Sequence, residues 1–211
     1  MRHAGLSVLL FFCLLPLAGC GQAGQARQLS GQIAHLYASV QTVDARLSMR
    51  VNRGSLESDF VLDWQYRAAN ADAFAGAESR SRVTVAAPAA VAGIAVEATA
   101  DGSVLYYDGA VLSLSADEAL AGAFDGPAAP SPLAALPLLF AQWRSGGCSA
   151  YAMENLDGLP ALALTYSETR GESVLEQRVW FDAELLTPLF AELSWNGRRL
   201  VTCRFETFTL S

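Results

Sequence analysis

Four cysteines, two histidines and 21 aspartates and glutamates are the groups with which this 211-residue chain could do chemistry. All 14 of its basic residues are arginine. Without lysine there is no Schiff-base amine, no P-loop lysine and no lysine general base. His3 stands in the first residues, so His35 is left to serve any site. A single histidine gives a Ser-His-Asp relay or a histidine-rich zinc site little to build on. The acids are scattered, with no Asp-x-Asp-x-Asp-Gly calcium loop, and Asp117, Glu118 and Asp125 read as loop charges. No nucleophile, base and orienting group stand together, so no enzyme, metal or cofactor is expected. The net charge of −7 argues against a nucleic-acid partner, because neutralising phosphate needs clustered cations.

The cysteines are Cys13, Cys20, Cys148 and Cys203. Arg2 and His3 open the chain, Leu6 to Leu17 is an almost unbroken apolar run, and Leu17-Ala18-Gly19-Cys20 follows. A positive start, a short apolar stretch and small residues before a cleavage point make a secretory signal. The run is short for a membrane span. Leu-Ala-Gly-Cys at its end resembles the lipobox of bacterial lipoproteins, in which the cysteine thiol is acylated by chains such as palmitate and becomes the new N-terminus. The plainer alternative is a secretory signal with an incidental cysteine. The first reading gives residues 1–19 as a signal peptide, Cys20 as the lipidation site, and a protein anchored on the extracytoplasmic face of the cell membrane. Two or more acyl chains anchor stably where one does not. Residues 20–28, ending in the small and polar Gly-Gln-Ala-Gly-Gln-Ala-Arg-Gln, read as the acylated cysteine and a flexible tether.

The remaining elements must position whatever residues 29–211 do. Leu29, Ile33, Leu36, Tyr37 and Val40 share one face of a helix, with His35 near the opposite, solvated face. Period two then takes over. Val43, Ala45, Leu47, Met49 and Val51 alternate with Asp44, Arg46, Ser48 and Arg50, and Phe60, Leu62, Trp64 and Tyr66 repeat the pattern after a turn at Arg53-Gly54-Ser55. Further strands are expected around residues 83–87, stopped by Pro88, and at 93–100, 103–107 and 111–114, with turns at Asp101-Gly102 and Asp108-Gly109. Four more lie at 162–166, 174–181, 189–195 and 200–208, the last two joined by Asn196-Gly197. Consecutive strands with short turns give one antiparallel meander of ten or eleven strands, more than an open twisted sheet holds without curling. Cys148 and Cys203 fall about four strands apart, near 19 Å in a flat sheet and too far for a bridge unless curling brings them closer.

Pro127 to Trp143 breaks the alternation. It carries four of the eight prolines and no charge, and Leu133, Leu136, Leu138, Leu139, Phe140 and Trp143 make it strongly apolar. It reads as a proline-rich loop and then a short helix from about Pro137, with proline in the first turn. That helix is either packed core or a mobile apolar lid over a concave sheet.

A lipobox, a tether, an amphipathic helix, a long meander, a central apolar helix and a final run of strands together resemble the LolA-like family of lipoprotein carriers, with their anchored receptor LolB and the mycobacterial lipid-carrier lipoproteins. Val179-Trp180-Phe181-Asp182-Ala183-Glu184-Leu185-Leu186-Thr187-Pro188-Leu189 is similar to the strand, turn and strand near the end of LolA-like lipoproteins from spore-forming Firmicutes. Arg198 to Phe208 resembles the strand that follows, and Arg80 to Pro88 the proline-ended strand before the middle hairpins. By impression the clostridial spore-germination lipoproteins stand nearest. The resemblance implies a mainly β (α+β) single domain over residues 29–211, an unclosed half-barrel around one or two helices. It also implies a non-enzymatic, membrane-anchored lipoprotein that holds a lipid, acyl chain or lipoprotein in a hydrophobic cavity. The residues expected to line that cavity, from the apolar faces, are Leu47, Met49, Phe60, Leu62, Trp64, Leu136, Phe140 and Trp143. The alternative is a scaffold with a filled interior that holds an envelope or germination factor, or a second copy of itself, along a free sheet edge. The lipid anchor distinguishes this chain from the soluble carriers of the family. Its abundance of alanine and lack of lysine distinguish it from the clostridial members.

Overall fold

The computed structural model describes residues 4–53, 55–69, 79–99, 102–115, 132–170 and 172–211. Asp117, Glu118, Asp125, the loop prolines up to Pro130, and the turn residues Gly54 and Asp101 lie outside them. Eleven strands form one antiparallel sheet that does not close. They are β1 (Thr42–Arg53), β2 (Leu56–Arg67), β3 (Arg80–Ala87), β4 (Ala95–Ala98), β5 (Gly102–Tyr107), β6 (Ala110–Ser115), β7 (Ala150–Leu156), β8 (Leu159–Arg170), β9 (Ser173–Asp182), β10 (Pro188–Trp195) and β11 (Arg198–Leu210). Among the described residues two α-helices accompany them, α1 (Ala4–Ser39) and α2 (Pro132–Ser145). The mainly β half-barrel around two helices is the expected fold.

The strand order across the sheet is β6-β5-β4-β3-β2-β1-β11-β10-β9-β8-β7. Every neighbour is a sequence neighbour except β1 and β11, which pair at the centre from Val43↔Leu210 to Val51↔Val201, with one register shift at Arg46/Leu47. Turn chemistry fixes the hairpins. Asp108 and Gly109 (φ 46° and 78°) and Asn196 and Gly197 (φ 50° and 75°) supply the two left-handed residues that a tight two-residue turn requires. Val43, Ala45, Leu47, Met49 and Val51 are buried while Arg46 and Arg50 face water, as their alternation requires.

Three expectations change. Residues 21–28, expected as a tether, are helical and belong to α1. Gln22, Ala23, Gln25, Ala26, Arg27 and Gln28 are strong enough helix formers to outweigh the two glycines. Ala26 is buried, as are Ile33, Tyr37 and Val40 further along the same face. The central helix starts at Pro132, not near Pro137, because Pro132 takes the first position and Pro137 is carried inside, where its missing N–H leaves one helical bond unmade. Strand β7, which the alternation did not mark, adds an eleventh strand at the edge. Cys148, just before β7, and Cys203 on β11 are both free thiols.

Candidate functional site

One face of the sheet and both helices enclose a single apolar layer. Seven of the eight inward residues meet in it: Leu47, Met49, Leu62, Trp64, Leu136, Phe140 and Trp143 are all buried, and Phe60 packs half-buried at its margin. Their side chains pack against one another in this layer. Aromatic rings do most of the packing. The Trp64 and Phe140 rings lie 5.0 Å apart edge to face, and Tyr66 and Phe140 lie 4.7 Å apart. Trp143 packs edge to face on Phe181 at 5.4 Å and on Tyr37 at 5.7 Å. Phe205 and Phe208 of β11 close the cluster. Edge-to-face pairs of this kind add roughly 0.5–1.5 kcal/mol each beyond their buried area.

Tyr37 and Tyr66, on apolar faces that the periodicity marks, and Phe181, Phe205 and Phe208 join the layer beyond the eight expected residues. Phe181 and Phe205 lie on the apolar phase of their strands, and Tyr37 lies on the apolar stripe of α1. What the sequence lacks is the curvature that brings β2, β9 and β11 onto one helix.

Polar groups mark the borders of the layer. The Trp64 indole N–H donates to Ser81 Oγ at 2.9 Å. Arg144, at the end of α2, donates to the Tyr66 hydroxyl and stacks over its ring at 5.2 Å. Gln142 of α2 donates to Glu168 of β8 at 3.3 Å, and Tyr37 donates to the Leu186 carbonyl in the β9–β10 turn at 3.2 Å. Burial raises the Tyr37 and Tyr166 hydroxyls well above the ordinary tyrosine range, so both stay neutral. Neither the Gln177 amide, fully buried on β9, nor the Trp143 indole N–H has a hydrogen-bond partner among the described residues. His35 is exposed on the outer side of α1. Among the described residues, no three His, Cys, Asp or Glu side chains cluster as a metal ion would require, and no helix is long and apolar enough to cross a membrane.

Strand register creates a second site on the opposite face. Ala152, Ala163, Trp180, Phe190, Arg204, Ser48, Val61 and Ala87 are direct cross-strand partners in one row from β7 to β3. Trp180 covers Ala161 and Ala163, its indole N–H donates to Glu154 Oε2 at 2.7 Å, and Arg178 stacks over its ring at 4.9 Å. Trp180 is buried in this small cluster, with Leu156, Leu189 and Phe190 packed around it.

No family model matches the chain, and no curated protein matches it. Among solved structures it is similar to a LolA superfamily protein from Nitrosomonas europaea, at 11% identity and a TM-score of 0.42 over 88% of this chain and 93% of that one. It is likewise similar to LprF from Mycobacterium bovis, at 11% identity and a TM-score of 0.45 over 89% of this chain and 94% of that one. A third similar structure is the lipoprotein LppX of Mycobacterium tuberculosis, at 12% identity and a TM-score of 0.44 over 87% of this chain and 92% of that one.

Proposed function

We propose that this protein is a membrane-anchored, extracytoplasmic lipoprotein that takes up a lipid, an acyl chain or the acyl end of a lipoprotein between its sheet and α2, without covalent chemistry. The observation that supports this most is the aromatic layer under α2. Leu136, Phe140 and Trp143 meet the sheet through apolar contact alone, and the polar links of α2 run from Gln142 and Arg144 at one end. An interface of that kind exchanges one apolar partner for another at low cost, because hydrophobic contact is non-directional. Parting α2 from Trp64, Leu62 and Leu47 opens a slot matched to a hydrocarbon chain. Cys20 carries the anchor, and α1 leads from it to the layer.

The test uses residues 21–211, a cut that spares every buried position of α1 from Ala26 onward. Purified protein is extracted and its lipids are analysed by mass spectrometry, and vesicles with bromine-labelled acyl chains are added to a variant carrying both Trp180→Phe and Trp195→Phe. Co-purified lipid, and quenching of Trp64 and Trp143 by bromine, are the expected results. Absence of both overturns the reading.

A second reading is favoured by one edge. Among the described residues, strand β6 has no partner on its outer side and no charge, and Val111, Leu112 and neighbouring Tyr107 are 61%, 54% and 51% exposed. An uncharged apolar edge is a template for strand addition. In this reading the interior stays filled and the protein holds an envelope or germination factor, or a second copy of itself, along β6. Crosslinking in intact cells separates the two: lipid without protein favours the first reading, and a defined protein partner lost with Leu112→Lys favours the second.

A further inference from the structure

The outer row of the sheet opens into a groove of about 730 Å³ on the face away from both helices. That volume falls in the range of small-molecule sites. Its floor is apolar, formed by Val61, Ala87, Pro88 and Phe190. Around the floor stand three arginines, Arg50, Arg199 and Arg204, and two acids, Glu57 and Asp59. The lining is thus net positive on a chain whose net charge is −7. Asn52 also lines it, and its buried Oδ1 has no hydrogen-bond partner among the described residues.

The arginines are oriented but not used up. Arg204 lies over the Phe190 ring at 5.8 Å and gives one Nη2 hydrogen bond to Asp157 at 2.8 Å. Arg199 gives Nη1 to Glu192 at 2.8 Å. Arg50 spends Nε and Nη2 on Asp59, at 2.7 and 3.3 Å, and keeps Nη1. Each guanidinium has five N–H donors in a planar fork, so these bonds leave several unused on each arginine lining the groove. Exposed ion pairs are weak and re-pair readily.

We propose that this groove binds the zwitterionic headgroup of a phospholipid such as an ethanolamine phosphate ester. Each part of the lining has a counterpart in that ligand. The phosphate meets the forked donors of Arg204, Arg199 and Arg50. The ammonium meets Asp59 and Glu57. The Asn52 carbonyl oxygen accepts from the ammonium or a glycerol hydroxyl, and the apolar start of the acyl chains lies on Phe190 and Val61. A purely anionic ligand makes no use of the two acids, and a hydrocarbon gives the ion pairs and the Asn52 oxygen no counterpart. The groove lies on the face opposite Leu47 and Leu62, because Ser48, Arg50 and Val61 point there by strand alternation, and Met49 and Phe60 of the inner layer reach its margin.

Soluble headgroup analogues test this on the full chain held in a neutral maltoside detergent. Glycerophosphoethanolamine, glycerophosphate, inorganic phosphate and ethanolamine are titrated separately by calorimetry. The zwitterion is expected to bind about tenfold tighter than any of the other three, equivalent to about 1.4 kcal/mol. Arg204→Gln should weaken the zwitterion and glycerophosphate alike. Asp59→Asn should weaken the zwitterion several-fold and strengthen glycerophosphate, because it releases Arg50. Both side chains are more than half exposed, so both variants should fold, checked by unchanged thermal melts. Equal affinity for glycerophosphate and the zwitterion, with no effect of Asp59→Asn, overturns the assignment, as does the absence of binding by all four probes.

Discussion

Gln177 is an amide inside a hydrophobic layer with no partner among the described residues, and burying such a group unpaired costs roughly 1–3 kcal/mol. Replacing it with the similarly sized, apolar Leu removes both unpaired atoms. Gln177→Leu is therefore expected to stabilise the fold by about that amount, read as a higher urea midpoint with an unchanged slope. Trp143→Ala acts in the opposite sense. It deletes a ring that contacts Tyr37, Phe181 and Phe205 and should cost about 3–5 kcal/mol in the same assay. The thiols provide a test against pH. Burial pushes Cys203 up from 9.0 to about 12, so the folded chain keeps a proton that the unfolded chain releases. A raised folded value leaves stability complete below about pH 9 and drains it as the pH climbs toward 12. Tyr37 and Tyr166, also raised by burial, add the same sign from about pH 10 upward. Urea midpoints should coincide at pH 7 and 8 and fall at pH 10.5, with a smaller fall in Cys203→Ala. A thiol reagent should label half-buried Cys148 in the native protein, and Cys203 after unfolding.

At the level of elements, the turns are the places where one residue type is required. Gly197 sits at φ 75° with open space where a Cβ would stand, so the strain in Gly197→Ala comes from the backbone alone. About 1–2 kcal/mol is expected from circular-dichroism melts in urea. Much of the sheet was legible because Asn-Gly, Asp-Gly and strict alternation carry local information. Val43 to Val51 and Phe60 to Tyr66 sit as their pattern requires. Strand β7 was not legible. Ala150-Tyr151-Ala152-Met153-Glu154-Asn155-Leu156 lacks a β-branched residue and is mostly exposed, so pairing with β8, and not its own composition, makes it a strand. The start of α2 was misplaced because both Pro132 and Pro137 suit a first turn, and local sequence does not choose between them. Leu47, Met49, Leu62 and Trp64 were readable from strand alternation; that Leu136, Phe140 and Trp143 join them in one buried layer was not, because it depends on the curl of the sheet. The outer groove was invisible for a related reason: its lining comes from β1, β2, β3, β10 and β11, aligned only by register.

For the whole molecule, location is the first test. Cys20→Ala should move the protein from the membrane fraction to the soluble fraction, or leave it uncleaved, when fractions of the expressing cells are compared by immunoblot. Partition identical to the parent sinks the lipobox reading. The sheet's one pairing between strands distant in sequence bears on how the chain folds. Strands β1 to β6 and β7 to β11 each zip up by neighbouring hairpins, a fast process driven by local contacts. The seam between Val43 and Leu210 waits until both halves exist. Until then β1 and β11 each carry an open edge in the middle of the future sheet. Loss of β11 would not trim the sheet. It would divide it into two separate halves.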